Sequence, residues 1–186
     1  MLAHVVRSSV TLRIASPMDP TRSPLPSFHA MVASRGDQFA VMARRNVPAG
    51  GLVMRLDGPL VDKPGRYTVQ VDVDLHVDAE PDPEHEGRYP LWRFLNHACA
   101  PNCRVVGRAL RAIAPIKKGD EITFDYDATE YDMASPFRCL CGAPACRGTI
   151  RGYRHLKPAM RAAMTWAAPH VLEAAAPRRL AAIARR

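Results

Sequence analysis

The chain has 186 residues, 47% apolar and 24% charged, a composition that suits one globular domain with appendages. Its formal charge of +8 is carried by the ends: residues 147–186 hold nine basic residues and one acidic, whereas residues 47–146 hold eleven basic and fifteen acidic. No run of about 18 apolar residues occurs, so no membrane-spanning helix is expected, and the acidic middle argues against a nucleic-acid groove in the body of the domain.

Residues 1–14 mix apolar residues with His4, Arg7 and Arg13 and lack the continuous apolar run of a secretory signal. Met18 is an alternative start. Residues 15–28 contain Pro17, Pro20, Pro24 and Pro26 with no periodicity, so residues 1–28 are expected to be a flexible leader.

From His29 the pattern changes. Ala30, Val32 and Ala33 lead to a turn at Arg35-Gly36-Asp37-Gln38, after which Phe39, Val41 and Ala43 alternate as in a half-buried strand. Further short strands are expected at Leu52–Gly58, Tyr67–Val71, Leu75–Val77, Arg104–Gly107, Leu110–Ala114 and Ile122–Asp127, separated by Gly/Pro turns. Many short strands of this kind predict a mainly β body. Residues 78–88 read as an acidic, solvated loop. The phrase Ala43–Gly50 resembles Ala112–Gly119, a match too short to count as a repeat. Beyond Leu156 the chain is Ala-rich, with Pro158, Pro169 and Pro177 each suited to the first turn of a short helix. Met160, Met164 and Leu172 read as packing residues, and Arg178, Arg179, Arg185 and Arg186 as a solvated basic end.

Two regions concentrate site chemistry. Arg93–Cys103 places two amides, an imidazole, a guanidinium and two thiols within eleven residues, more polar demand than a core strand satisfies. Cys139-Leu140-Cys141 and Cys146 put three thiols on one loop, with Gly142 to let it turn. With no secretory signal, such clustering favours metal ligation over disulfides. Structural zinc needs four ligands, so one comes from elsewhere. Cys99 and Cys103 are the candidates, with His97 a weaker one. No three-ligand set with an open position is present, so the site reads as structural. Tyr126 lies between Asp125 and Asp127, and alone has no specificity.

Taken in order, three phrases carry a family resemblance. Arg93-Phe94-Leu95-Asn96-His97-Ala98-Cys99-Ala100-Pro101-Asn102 resembles the signature of SET-domain lysine methyltransferases, Glu121–Tyr126 their second signature, and Cys139–Gly142 with Cys146-Arg147-Gly148 their zinc-binding post-SET segment. The resemblance covers about residues 30–152. It implies a mainly β, SET-type fold of small sheets around a pseudoknot, with a zinc-binding post-SET loop and a short helical C-terminal tail. The implied units are a SET domain at 29–132, a post-SET loop at 133–152 and a basic helical tail at 153–186.

The resemblance also implies S-adenosylmethionine as methyl donor and a lysine-bearing protein, basic or histone-like, as substrate. Tyr126 would be the catalytic tyrosine. Arg35, Gly36, Asp37, Tyr67, Asn96 and His97 would hold the cofactor, and Phe124 and Tyr67 would line the lysine channel. Zn2+ would be held by Cys139, Cys141, Cys146 and, by family analogy, Cys99. Departures from the pattern are Gly36-Asp37-Gln38 in place of Gly-x-Gly, Leu56-Asp57-Gly58 where many relatives carry Tyr-x-Gly, and Ala98 in place of serine. The expected location is cytoplasmic, with no membrane partner. An inactive SET-like binding module is the main alternative, and a zinc-stabilised nucleic-acid binder using the basic tails a weaker one.

Overall fold

A computed structural model describes residues 27, 29–35, 38–81 and 87–176. The expected leader at 1–28, apart from Ser27, and the basic end at 177–186 lie outside the described residues, as do Gly36 and Asp37.

The first element is a hairpin of β1 (Ala30–Arg35) and β2 (Gln38–Ala43), paired Ala30 to Ala43 and Val32 to Val41. Val41 and Ala43 are buried as the alternation predicts. Phe39 is not: it is 37% exposed and lies edge-on to Phe94, with ring centroids 5.8 Å apart. A three-stranded sheet follows in the order β4 (Leu60–Val61), β6 (Leu75–Asp78), β5 (Thr68–Asp72). The Gln70 side chain holds its hairpin, donating to the carbonyls of Asp72 and Val73.

The central sheet is assembled from distant parts of the chain. Its order is β3 (Leu52–Arg55), β9 (Ala109–Ala112), β8 (Cys103–Val106), β10 (Thr123–Phe124), β7 (Asn96–His97). Residues 98–102 join β7 to β8, and β10 lies between those two strands, parallel to both. This threading brings the Asn96-His97 stretch beside the stretch that leads into Tyr126. The core beneath is aliphatic, with Val41, Val53, Leu56, Val77, Val105, Leu110, Ile116 and Ile122 all buried. Burial of each such side chain is worth about 1.5–3 kcal/mol.

The two similar phrases face each other. Val47 and Ile116 exchange both backbone bonds, at 2.8 and 2.9 Å. The Gly50 amide donates to the Ala112 carbonyl and the Gly119 amide to the Ala43 carbonyl, each at 2.8 Å. Exchanging the phrases maps these bonds onto one another, so the short sequence match has a local two-fold counterpart.

The expected strand Ile122–Asp127 stops at Phe124. Asp125 caps a 3-10 turn over Tyr126–Ala128, its carboxylate accepting from the Asp127 amide at 3.1 Å. Beyond it, β11 (Phe137–Arg138) and β12 (Thr149–Ile150) pair across the cysteine loop. In the tail, α1 (Pro158–Ala163) and α2 (Pro169–Ala175) each begin on a proline, as expected. Val171 of α2 packs with Tyr153, Leu156 and Ala168 in a small second cluster joined by Met164, whereas α1 buries none of its residues. Met160 and Leu172, expected as packing residues, are instead exposed. No helix among the described residues is long and apolar enough to cross a membrane.

Candidate active site and metal centre

Both ends of the threaded segment are tied down by amides. Asn102 donates to the Glu121 carbonyl at 2.8 Å and accepts from the Thr123 amide at 3.0 Å. Asn96 donates from Nδ2 to the Phe39 carbonyl at 2.9 Å and to Glu121 Oε1 at 2.8 Å. The Asn96 side chain thus ties β7 to β2 and to the approach to β10. Glu121 opens the second signature phrase without a role of its own there, and its role is visible only once these strands are adjacent.

His97 is buried against Tyr126 and Phe137, with ring centroids 5.4 and 6.0 Å away. Burial, followed by the Arg147 charge, lowers its pKa to about 3. The ring is therefore neutral at pH 7. Its Nδ1 accepts from the Tyr126 amide at 3.2 Å, which leaves the proton on Nε2, and Nε2 lies 3.2 Å from Cys99 Sγ. One imidazole thus bridges the backbone of Tyr126 and a thiol of the metal loop.

The Tyr126 hydroxyl donates to the Leu95 carbonyl at 2.5 Å. Its ring is tilted over Phe124, with centroids 4.6 Å apart. Burial, then the charges of Glu130 and Glu121, push the phenol above its usual pKa, so the hydroxyl stays protonated at neutral pH. Both aromatics line a cavity of about 500 Å³ together with Gly65, Tyr67, Arg93, Asn96, Glu130 and Phe137. Tyr67 is 41% exposed and forms its rim. The Arg93 guanidinium is stacked between two rings, 3.5 Å from the centroid of Tyr67 and 4.0 Å from that of Tyr89. Leu56 is fully buried in the core and is not among the residues lining the cavity. Of the expected cofactor loop, Arg35 ends β1, and Gly36 and Asp37 fall outside the described residues.

The cysteines resolve into a cluster and one separate thiol. The sulfurs of Cys99, Cys139, Cys141 and Cys146 all lie within 4.8 Å of one another, with Cys99 and Cys139 3.9 Å apart. Four thiolates about 2.3 Å from a tetrahedral zinc ion would be about 3.8 Å apart, so the set fits that ion. Gly142 turns the loop in the left-handed region at φ 70°. Amides of Cys141 and Arg147 donate to the sulfurs of Cys139 and Cys99, each at 3.4 Å. Such bonds and the His97 contact orient ligands and stabilise negative sulfur. The amides of Cys99 and Ala143 lower the Cys141 thiol to about 6, whereas burial raises Cys99 to about 12. Cys103 sits apart on β8, 1% exposed, its thiol pushed up to about 12 by burial. The choice between Cys99 and Cys103, which spacing leaves open, is thus decided for Cys99 by position.

Two further residues stand out only in the folded chain. Arg147 pairs with both Asp125 and Asp127, which flank Tyr126. Glu130 buries a carboxyl beside the Tyr126 cavity. Arg147 directly follows Cys146, a signal that could have drawn attention to it; a single acidic residue between Thr129 and Tyr131 offers none.

Comparison with known proteins agrees with this geometry. The SET domain family profile matches residues 38–127. A methyltransferase of Aspergillus flavus, flvH, is 29% identical over 130 residues, covering 67% of each chain. A histone-lysine N-methyltransferase of Schizosaccharomyces pombe, specific for H3 lysine-4, is 40% identical over 92 residues, 45% of this chain and 9% of that protein. Among solved structures, KRYPTONITE in complex with mCHG DNA and SAH superposes with a TM-score of 0.50 at 25% identity, over 67% of this chain and 29% of that one. The chain thus spans two thirds of the length of one relative and under a tenth of another. With the family profile running from β2 to the Tyr126 turn and the four-thiol cluster beyond it, this chain belongs to the SET-domain protein-lysine methyltransferase family and carries a metal site of the post-SET kind.

Proposed function

We propose that this chain transfers a methyl group from S-adenosylmethionine to a lysine side chain of a protein. The observation that carries the reading is the hydroxyl of Tyr126, held on the Leu95 carbonyl inside a cavity walled by Phe124, Tyr67 and Phe137. A cavity of about 500 Å³ is in the range of small-molecule sites, and its aromatic faces suit a cationic sulfonium. The residues present therefore fit the cofactor. Relatives named as histone-lysine N-methyltransferases support a basic, histone-like substrate. One bound to SAH supports the cofactor.

The bound donor supplies a methyl group on positively charged sulfur. The chain's contribution is alignment and exclusion of water. In this reading Tyr126 orients the amine toward the methyl, and Phe124 closes the inner wall. Asn96 and His97 border the cofactor through their backbone, with Arg35, Gly36 and Asp37 completing the grip. Tyr67, fixed by Arg93, guards the entrance. Cys99, Cys139, Cys141 and Cys146 hold a structural zinc ion that keeps residues 137–150 over the cavity. Four cysteines gathered as metal ligands and a fifth buried as a thiol suit a reducing compartment, and on that basis we propose a cytoplasmic location. An inert module of the same fold is the alternative; it rests on Gly36-Asp37-Gln38 and Leu56, where the chain departs from the family pattern.

The test is binding of S-adenosylmethionine by calorimetry, with radiolabelled methyl transfer into a cell lysate by wild type and Tyr126→Phe. Binding with transfer that falls at least about a hundredfold in the variant supports the reading. Absence of binding supports the inert module.

A further inference from the structure

Glu130 has an environment that its neighbours in the fold do not explain. Its amide donates to the Tyr126 carbonyl at 2.7 Å, so it sits one turn beyond Tyr126, and both residues line the same cavity. The residue is 6% exposed. Its Oε1 accepts from the Gln70 amide at 2.8 Å, and among the described residues no cation pairs with it. A carboxyl buried with one neutral donor is costly, and a glutamine would accept from Gln70 without that cost. A carboxylate in this position does have a use if an ammonium group enters the cavity.

We propose that Glu130 is the proton acceptor for the substrate lysine, an assignment that rests on the methyltransfer reading above. The lysine arrives as an ammonium. Glu130 takes one N–H proton, forming its O–H bond and leaving the electron pair on nitrogen. That pair forms the N–C bond to the methyl group while the C–S pair returns to the sulfur of S-adenosylmethionine. Glu130 then releases its proton to solvent through the open side of the cavity.

Other groups there are poorly suited. Tyr126 donates its hydroxyl proton to Leu95 and holds it above the usual phenol range. Arg66 and Arg93 are cations, and Tyr67 sits at the rim. Behind Glu130, the Tyr153 amide donates to its carbonyl, and His170 on α2 contacts the adjacent Thr129 carbonyl. Burial raises the Glu130 carboxyl to about 7, close to the working pH of a proton acceptor.

The experiment compares wild type with Glu130→Gln as full chains. S-adenosylmethionine affinity is measured by calorimetry, and the rate of labelled methyl transfer into unfractionated core histones is measured from about pH 6 to 10. The expected result is unchanged cofactor affinity and kcat/KM at least about tenfold lower near neutral pH. The rising limb of the profile should move up by more than about one pH unit, toward the ordinary lysine value of about 10.4. Glu130→Asp should recover part of the neutral-pH rate. A Glu130→Gln protein that binds cofactor and keeps the wild-type profile overturns the assignment and leaves the methyltransferase reading intact. A wild type that neither binds cofactor nor labels histones overturns both.

Discussion

Arg147, the residue after the last cysteine of the metal loop, forks onto Asp125, the residue before Tyr126. Its Nη1 lies 2.9 Å from Asp125 Oδ2, its Nη2 bonds Oδ1, and its Nε is 3.0 Å from Asp127 Oδ2. Asp127 in turn accepts from the amides of Arg151 and Gly152 at 3.1 and 2.8 Å. With the His97 bridge, this gives two separate links between the thiol cluster and the tyrosine turn. Planarity is what allows one side chain to engage both carboxylates.

Removing that fork should be severe. Arg147→Ala leaves one buried and one half-buried carboxylate without their cation and is expected to cost about 3 kcal/mol in urea unfolding. Arg147→Lys should recover only part, because one ammonium cannot reproduce the three contacts. Full stability in the alanine variant would show that the pairing is incidental.

The metal and the cofactor should be lost together. Cys139→Ser removes one of four ligands, so bound zinc by elemental analysis and S-adenosylmethionine affinity by calorimetry are both expected to fall. Cys103→Ala should retain the metal, since its thiol lies on β8 away from the cluster. If a chelator strips the ion and cofactor binding is untouched, the loop does not act as a clamp.

In the proposed reaction, Phe124 would set the room around the amine. It is 3% exposed and lines the cavity beside Tyr126. A ring without a hydroxyl leaves space for more than one methyl group. Wild type is therefore expected to add more than one to a peptide, and Phe124→Tyr to stop at one. Intact-mass spectrometry reads both. Single addition by wild type, unchanged in the variant, would contradict this.

Glu130 makes stability depend on pH. Its carboxyl is raised from 4.5 to about 7 in the folded protein, so the native state binds the proton more tightly than the unfolded state. Its contribution is fully present below about pH 4.5 and is lost as pH rises through about 7. The full shift corresponds to about 3 kcal/mol. Glu130→Gln should thus raise the melting temperature above pH 7 and leave it nearly unchanged below pH 4.5. A variant equally destabilised at both pH values would mean the carboxylate is matched to its surroundings in a way burial does not capture.

Much of the body was legible locally. Gly/Pro turns and period-2 runs located most of the strands, because a turn such as Asn46–Gly51 is written in adjacent residues. The strand into Tyr126 was overextended, since the Asp125 cap competes with the ladder over three residues that alternate like a strand. Phe39 looked like a core residue, but its strand lies at an edge and its ring meets Phe94 instead.

The chain's own chemistry was enough for the mainly β body, the three-thiol loop and the phrases that mark the family, because each depends on residues near one another in sequence. The folded chain decided the rest. It chose Cys99 over Cys103, since one sits on the loop between β7 and β8 and the other faces inward from β8. It gave Arg147 its two aspartates and set Glu130 beside Tyr126. The physical reason is the placement of β10 between β7 and β8: backbone pairing between Thr123 and Asn96 creates neighbours whose separation along the chain leaves no local trace.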